Sequence, residues 1–141
     1  YPDGSFCLGS DIKLKSILHD YPTAIDFVEK VIQPFLYKIV HKLKYGIATC
    51  GELAHGEAGL VDDYQRLFKV HGKSCVLQVL RVLGKRKREA NKLPCPCGCG
   101  NRLGKCSYRY SLPQWRRLER RRWFRKHLSV FCQHLEGRTV G

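Results

Sequence analysis

The sequence predicts a mainly α-helical protein with little β-structure. Two long stretches place apolar residues at three-to-four spacing, and segments rich in glycine or proline separate them. The chain has 141 residues, of which 43% are hydrophobic, and this is enough to bury a core. It has no run of about 18 apolar residues and no apolar leader segment, so we expect a soluble, cytoplasmic protein without a membrane span.

The first long helix is predicted to begin at Thr23, which is a favourable N-cap residue. Residues 25–43 carry apolar side chains at helical spacing, which predicts a core helix, and Gly46 is expected to end it. Pro34 is expected to kink or split this helix, because proline removes a backbone donor and clashes with the preceding turn. The turn-rich residues 1–22 predict a loop with at most a short helix.

Two shorter helices are predicted to pack on this long helix. Residues 46–59 contain four glycines and predict a turn-rich loop. Apolar spacing over residues 60–68, and again over residues 74–83, predicts a helix in each place. Ser74 is the expected N-cap of the second one, and Gly84 is expected to end it.

The second long helix is predicted to begin near Pro113, because proline suits the first helical turn. Trp115 and Trp123 belong to its apolar face. Its other face carries cations, which are Arg116, Arg117, Arg120, Arg121, Arg122, Arg125 and Lys126. Tryptophans can stack on single-stranded nucleic acid, but the apolar spacing of these two favours core positions.

Positive charge is concentrated in one part of the chain. Residues 1–80 carry nine Lys/Arg and nine Asp/Glu, and residues 127–141 carry one of each. Residues 81–126 carry sixteen Lys/Arg against two Glu, and this balance of +14 equals the net charge of the whole chain. Such an excess predicts a partner with negative charge, either nucleic acid or an acidic protein surface, that binds through residues 85–126.

Four of the eight cysteines, Cys95, Cys97, Cys99 and Cys106, lie within twelve residues. Cysteines one residue apart rarely pair with each other, so the spacing disfavours disulfides. Tight turns at the intervening proline and glycines let the sulfurs converge, and zinc prefers four such ligands in a tetrahedron. The segment therefore predicts a structural Zn²⁺ site rather than reduced thiols in a loop.

The cysteine segment resembles the SEC-C motif, in which Cys-x-Cys is followed after eight residues by Cys and then directly by Cys or His. The first, second and last cysteines of the segment match ligand positions of that motif, whereas Ser107 occupies the fourth. The remaining ligand is therefore either Cys99 or a distant residue, with His127 and Cys132 as the candidates.

The start of the chain carries a second pattern, Asp3-Gly4-Ser5-Phe6-Cys7-Leu8, and Tyr21-Pro22-Thr23 then opens the first long helix. Together they resemble the active-site segment of ubiquitin-conjugating enzymes. The resemblance implies the helical C-terminal part of a conjugating-type α/β fold, because the family's His-Pro-Asn and the strands before it would lie upstream of Tyr1. The most similar members are divergent bacterial proteins that act on ubiquitin-like modifiers beside an activating enzyme.

The resemblance implies acyl transfer, in which Cys7 carries the modifier as a thioester and passes it to an amine. Gly51-Glu52-Leu53-Ala54-His55-Gly56 is similar to a loop of the bacterial relatives. His55 is the candidate base, and Glu52 is the candidate group that orients it. Cys50 is an alternative nucleophilic thiol. Cys7, considered alone, could equally be a small buried hydrophobic residue without a catalytic role.

These patterns predict two domains and leave two functions open. Residues 1–84 would form the conjugating-type part with the active-site loop and helices, and residues 85–141 a basic appendage with the zinc knuckle and a helix. The first function is a transferase that uses Cys7, with a ubiquitin-like modifier and its activating enzyme as partners. The alternative is a zinc-stapled module without chemistry of its own that binds nucleic acid or an acidic protein.

Overall fold

The computed structural model describes residues 8–46 and 57–136. Within these ranges the protein is mainly helical and has no β-strand, which confirms the predicted fold class at the level of a mainly α protein. The conjugating-type fold stays a prediction. None of the helices in the described ranges combines the length and apolar composition that a membrane crossing requires.

By packing, the chain divides into two compact units, Tyr1–Leu67 and Phe68–Gly141. The domain boundary predicted after residue 84 follows charge and resemblance rather than packing, and it stays a prediction. The first unit contains α1 (Asp11–Asp20), α2 (Ala24–Phe27), a π-helical turn (Val28–Ile32), α3 (Gln33–Tyr45) and most of α4 (Glu57–Phe68).

Thr23 begins the long helical stretch, as predicted. Its hydroxyl accepts a hydrogen bond from the backbone N–H of Asp26 at 3.1 Å, and the Asp26 carboxylate accepts one from the Thr23 N–H at 3.2 Å. This reciprocal pair is a capping box. Gly46 ends α3 in a left-handed conformation with φ 67°, and its N–H donates to the carbonyl of Lys42 at 2.9 Å. Both predicted boundaries are confirmed.

Pro34 changes the hydrogen bonding of this stretch without ending it. The N–H of Gln33 donates to the carbonyl of Val28, five residues earlier, so a π-helical turn directly precedes the proline. The wider turn makes room for the proline ring, which clashes with the carbonyl four residues before it in a regular helix. The helical stretch therefore continues through Pro34, so the predicted split into two helices is absent and the local change is a π-turn.

The predicted core role of this long stretch is wrong for most of its length. Val31 is buried at 5% exposure, and Phe35 and Ile39 follow it at four-residue spacing as half-buried residues. A second apolar stripe is exposed, with Leu36 at 52%, Val40 at 59% and Leu43 at 82%. Periodicity reveals that a helix has apolar faces, but it does not reveal which of two faces is covered.

α1 is joined to α4 by a buried carboxylate. The side chain of Asp63 is 7% exposed, and one of its oxygens accepts a hydrogen bond from the N–H of Ser10 at 2.9 Å. The other oxygen lies 3.3 Å from Nζ of Lys13. The Ser10 hydroxyl in turn caps α1 by accepting from the Lys13 N–H at 3.4 Å. Asp63 therefore fixes the start of α1.

The second unit contains α5 (Lys73–Leu83), α6 (Lys87–Ala90), 3-10 turns at Leu103–Lys105 and Ser107–Tyr110, α7 (Leu112–Arg116) and α8 (Arg121–Glu136). The N-cap of α5 is Gly72, with φ 86°, so the predicted N-cap at Ser74 is wrong by two residues. A glycine at positive φ can turn the chain into the helix without a side-chain cap. Gly84 ends α5, as predicted.

The predicted continuous helix from Pro113 is wrong, because α7 and α8 are separate. Trp115 and Phe124 are both buried, at 3% and 0% exposure. Nine residues span two and a half turns of an α-helix, so an unbroken helix would place these two side chains on opposite faces. The interruption after Arg116 lets both rings enter one core.

The core of the second unit forms where α5 packs on α8. α5 contributes five buried residues, Val76, Val79, Leu80, Val82 and Leu83. α8 contributes Phe124 and Phe131. The ring of Trp115 meets the edge of Phe68 with centroids 5.1 Å apart, which confirms the core role preferred for this tryptophan.

Asp63→Asn is expected to destabilise the protein by about 1–2 kcal/mol, because asparagine keeps the shape but loses two charge-assisted contacts. Asp62→Asn is the matched control on the same helix. Asp62 pairs with Arg66 at 2.7 Å on a more exposed face, where such a pair contributes about 0.3–0.5 kcal/mol. Urea unfolding followed by circular dichroism measures both variants. Equal losses would contradict the anchoring role of Asp63.

Candidate metal centre

The four clustered cysteines lie in the loop between α6 and α7. A single antiparallel bridge joins Pro94 to Arg102. Next to it, the N–H of Cys95 donates to the carbonyl of Asn101 at 2.8 Å, and the N–H of Leu103 donates to the carbonyl of Leu93 at 2.9 Å. These bonds fold the loop back on itself, so its first cysteines come close to the last one.

Glycine is required at the tip of this loop. Gly98 and Gly100 have φ angles of 79° and 76°, a region that other residues adopt only with strain. The N–H of Gly98 donates to the carbonyl of Cys95 at 3.3 Å, which closes a tight turn. This turn brings the neighbouring cysteines close together in space.

A third glycine, Gly104, allows a close approach of the backbone. Its N–H donates to the carbonyl of Asn91 at 3.0 Å, and a Cβ at this position would lie 2.9 Å from that same oxygen. A substitution would therefore push the two backbone segments apart. Sequence reasoning did not identify Asn91 as the partner of Gly104, because Asn91 contributes only its backbone carbonyl to this hydrogen bond.

The structure brings four sulfur atoms to one point. The Sγ atoms of Cys95, Cys97, Cys99 and Cys106 all lie within 4.8 Å of one another. Cys97 Sγ is 3.2 Å from Cys95 Sγ and 3.7 Å from Cys106 Sγ. Ligands of a tetrahedral ion with metal–sulfur bonds of about 2.3 Å are about 3.8 Å apart. The four cysteines can therefore hold a metal ion.

Cys99, and neither His127 nor Cys132, joins the other three cysteines in this group. The imidazole of His127 instead stacks on the ring of Trp123, with centroids 3.7 Å apart. Cys132 is exposed on α8. Of the alternatives that the sequence leaves open for the fourth ligand, the structure favours the one inside the loop.

The thiols of this group differ in their ease of ionisation. Burial raises the pKa of Cys95, which is 6% exposed. A hydrogen bond from the backbone N–H of Asn101 lowers the pKa of Cys99 to about 7, with a contribution from Cys97. A bound cation reverses the effect of burial, because a coordinating thiol is deprotonated. Four sulfurs held this close together thus fit a site for a soft cation.

Hydrogen bonds connect the loop to the core of the second unit. The hydroxyl of Tyr108 donates to the carbonyl of Phe68 at 2.6 Å, and burial raises the pKa of this hydroxyl, so it stays protonated. Nε2 of Gln78 on α5 donates to the carbonyl of Pro94 at 3.0 Å. Within the loop itself, the guanidinium of Arg109 donates to the carbonyl of Gly104. Sequence reasoning did not find these supports, because carbonyl acceptors leave no mark on residue type.

The predicted catalytic residues Cys7, Glu52 and His55, and the rival thiol Cys50, lie outside the described residues. Their roles stay predictions. A comparison with known proteins finds no matching family model, and no curated protein and no solved structure matches the chain significantly.

Cys99→Ser is expected to weaken metal binding by more than about 10-fold, because a hydroxyl is a poorer ligand than a thiolate for a soft site. Titration with Co²⁺ measures the affinity and, through thiolate-to-cobalt absorption bands, the number of sulfur ligands. Cys132→Ser is the matched control and should titrate like the unchanged chain. An unchanged cobalt spectrum in Cys99→Ser would rule out this ligand.

Proposed function

We propose that the four-cysteine group binds zinc and that the zinc has a structural role. The convergence of four sulfurs within 4.8 Å supports this proposal. Four thiolates fill the tetrahedral sphere of zinc and leave no open position for water or substrate. Metal binding would stabilise a loop of this kind, which has little apolar core of its own.

Removal of zinc is expected to loosen the packing around Trp115, because the ring of Tyr108, two residues after the last cysteine of the loop, has its centroid 5.8 Å from that of Trp115. In a Trp123→Phe background, Trp115 is the remaining tryptophan. We expect one zinc per chain, a red shift of tryptophan emission with chelator, and recovery with Zn²⁺ but not with Mg²⁺.

Mass spectrometry of protein purified without added zinc gives the stoichiometry, and fluorescence gives the change in packing. Protein without stoichiometric metal, and with the emission unchanged by chelator, would end the proposal of a structural zinc.

For the chain as a whole, we propose an acyl transferase of the ubiquitin-conjugating type. The thiolate of Cys7 would attack the carbonyl of the thioester that links a ubiquitin-like modifier to its activating enzyme, and the thiolate of that enzyme would leave. An amine would then attack the thioester on Cys7 and displace the Cys7 thiolate. His55 would accept the proton of that amine, and Glu52 would orient His55. The zinc loop and the basic helices would serve as docking elements.

One described feature agrees with the resemblance on which this proposal rests. The resemblance predicts that an aromatic, Pro and Thr lead into a long helix after the cysteine loop. The capping box of Thr23 and Asp26 begins such a helix, which continues through the π-turn to Tyr45. This feature supports the local resemblance, and the chemistry at Cys7 requires its own test.

Incubation with a ubiquitin-like modifier, its activating enzyme and ATP is expected to give an adduct that thiol reductants release. Cys7→Ala should abolish the adduct, because the nucleophile is gone, and Cys7→Ser should convert it to an ester that resists reductants. Cys50→Ala is the matched control and should retain the adduct. Gel electrophoresis with and without reductant measures each case. A thioester that persists on Cys7→Ala would show that the assignment is wrong.

A further inference from the structure

We propose that the second unit binds the phosphate backbone of nucleic acid through a basic surface around Gly84, formed by Lys85, Arg86, Arg121 and Arg125. This inference does not depend on the zinc or on the chemistry proposed for Cys7. It rests on how the fold assembles cations that are distant in sequence.

Contacts between α5, α7 and α8 bring these cations together. Nη2 of Arg116 donates to the carbonyl of Val82 at 3.1 Å and lies 3.3 Å from the carbonyl of Lys85. A Cβ on Gly84 would lie 2.8 Å from Cγ of Arg125, so the stem of Arg125 lies directly over Gly84. The end of α5 is therefore the meeting point of basic residues from three segments.

Arg116 has a structural role in this cluster. It binds the carbonyl of Val82 in the last turn of α5, where a cation is favourable, and the carbonyl of Lys85 just beyond the helix. Burial, and then the positive charge of Arg121, lower the pKa of its guanidinium. Arg121 precedes Arg125 by four residues on α8, so the two side chains lie on the same face of that helix. Carbonyl oxygens thus bind Nη2 of Arg116, whereas its buried Nε has no hydrogen-bond partner among the described residues. Lys85, Arg86, Arg121 and Arg125 are exposed.

The cluster has few anions to balance it. Residues 81–126 contain two carboxylates, Glu89 and Glu119, against sixteen cations. The first turn of α8 contains no acidic residue and begins with Arg121 and Arg122. Cations near a helix N-terminus are unfavourable, and like charges four residues apart, such as Arg121 and Arg125, repel each other as well. The surface therefore carries electrostatic repulsion that a bound anion would relieve.

Phosphate fits this surface better than carboxylate side chains on a protein do. Three of its four cations are arginines, whose planar guanidinium pairs with phosphate through two hydrogen bonds. A nucleic-acid backbone supplies regularly spaced charges over a wide surface. Base stacking is not part of the proposal, because Trp115 is buried in the core and one face of Trp123 is covered by His127. We therefore expect binding to duplex DNA without sequence preference.

The test compares Lys85→Gln/Arg86→Gln/Arg121→Gln with a control that removes the same charge elsewhere, Lys30→Gln/Lys38→Gln/Lys44→Gln. All six side chains are exposed. The structural contacts at Lys85 use its carbonyl, which the substitution keeps. Metal content and thermal unfolding check that each variant is folded.

Fluorescence anisotropy with a labelled 20-base-pair DNA duplex is measured at several salt concentrations. The log–log dependence of affinity on salt should become shallower by about 0.9 for each phosphate contact removed, and by about 2.7 if all three cations contact phosphate. The control should keep the slope of the unchanged chain.

Three outcomes of the duplex titrations would overturn the proposal. They are an unchanged slope in the Lys85/Arg86/Arg121 variant, an equal loss in the control, and no duplex binding by the unchanged chain at about 50 mM salt. Poly-glutamate added at the same charge concentration separates the two kinds of polyanion. Competition by poly-glutamate as strong as that by unlabelled duplex would assign the surface to an acidic protein instead.

Discussion

The convergence of four cysteine sulfurs is the constraint on which the loop between α6 and α7 depends. Burial disfavours the thiolate of Cys95, so this sulfur prefers to stay protonated without a cation. The loop around it consists of tight turns and 3-10 turns and contributes few buried apolar residues, chiefly Leu103 and Pro96. A metal ion bound to the sulfurs would supply the stabilisation that a hydrophobic core supplies elsewhere.

The same loop sets the position of the aromatic core beside it. Tyr108 follows the last cysteine by two residues, and its hydroxyl donates a hydrogen bond to the carbonyl of Phe68. Its ring packs at a tilt beside the ring of Trp115. Trp115 belongs to α7, and the chain must then leave the helical path so that Phe124 can enter the core from α8. The separation of α7 from α8 is therefore a consequence of packing two large rings that are nine residues apart.

Sequence reasoning succeeded where one residue type has one physical use. Thr23 and Gly46 mark helix ends because a hydroxyl caps a helix start and glycine adopts positive φ, and cysteines at short spacing mark a metal-binding group.

Sequence reasoning failed where tertiary contacts choose between local options that are equally favourable. Ser74 and Gly72 both suit the start of a helix, and the structure uses Gly72. The apolar spacing around Trp115 could not show that the helix is interrupted before Phe124. The exposed stripe of α3 is a third case, because no local signal tells which apolar face is covered.

Charge connects the two proposals for the second unit. Four thiolates exceed the charge of a zinc ion by two, so zinc binding would lower the balance of residues 81–126 from +14 to about +12. This offset is small and local to the loop, where Lys92, Arg102 and Lys105 are exposed. The negative charge of the zinc site does not balance the cations around Gly84, because these cations lie where α5 packs on α8 and not in the cysteine loop. Zinc can therefore fix the loop and the aromatic core without saturating the basic surface, and that surface remains open to a phosphate backbone.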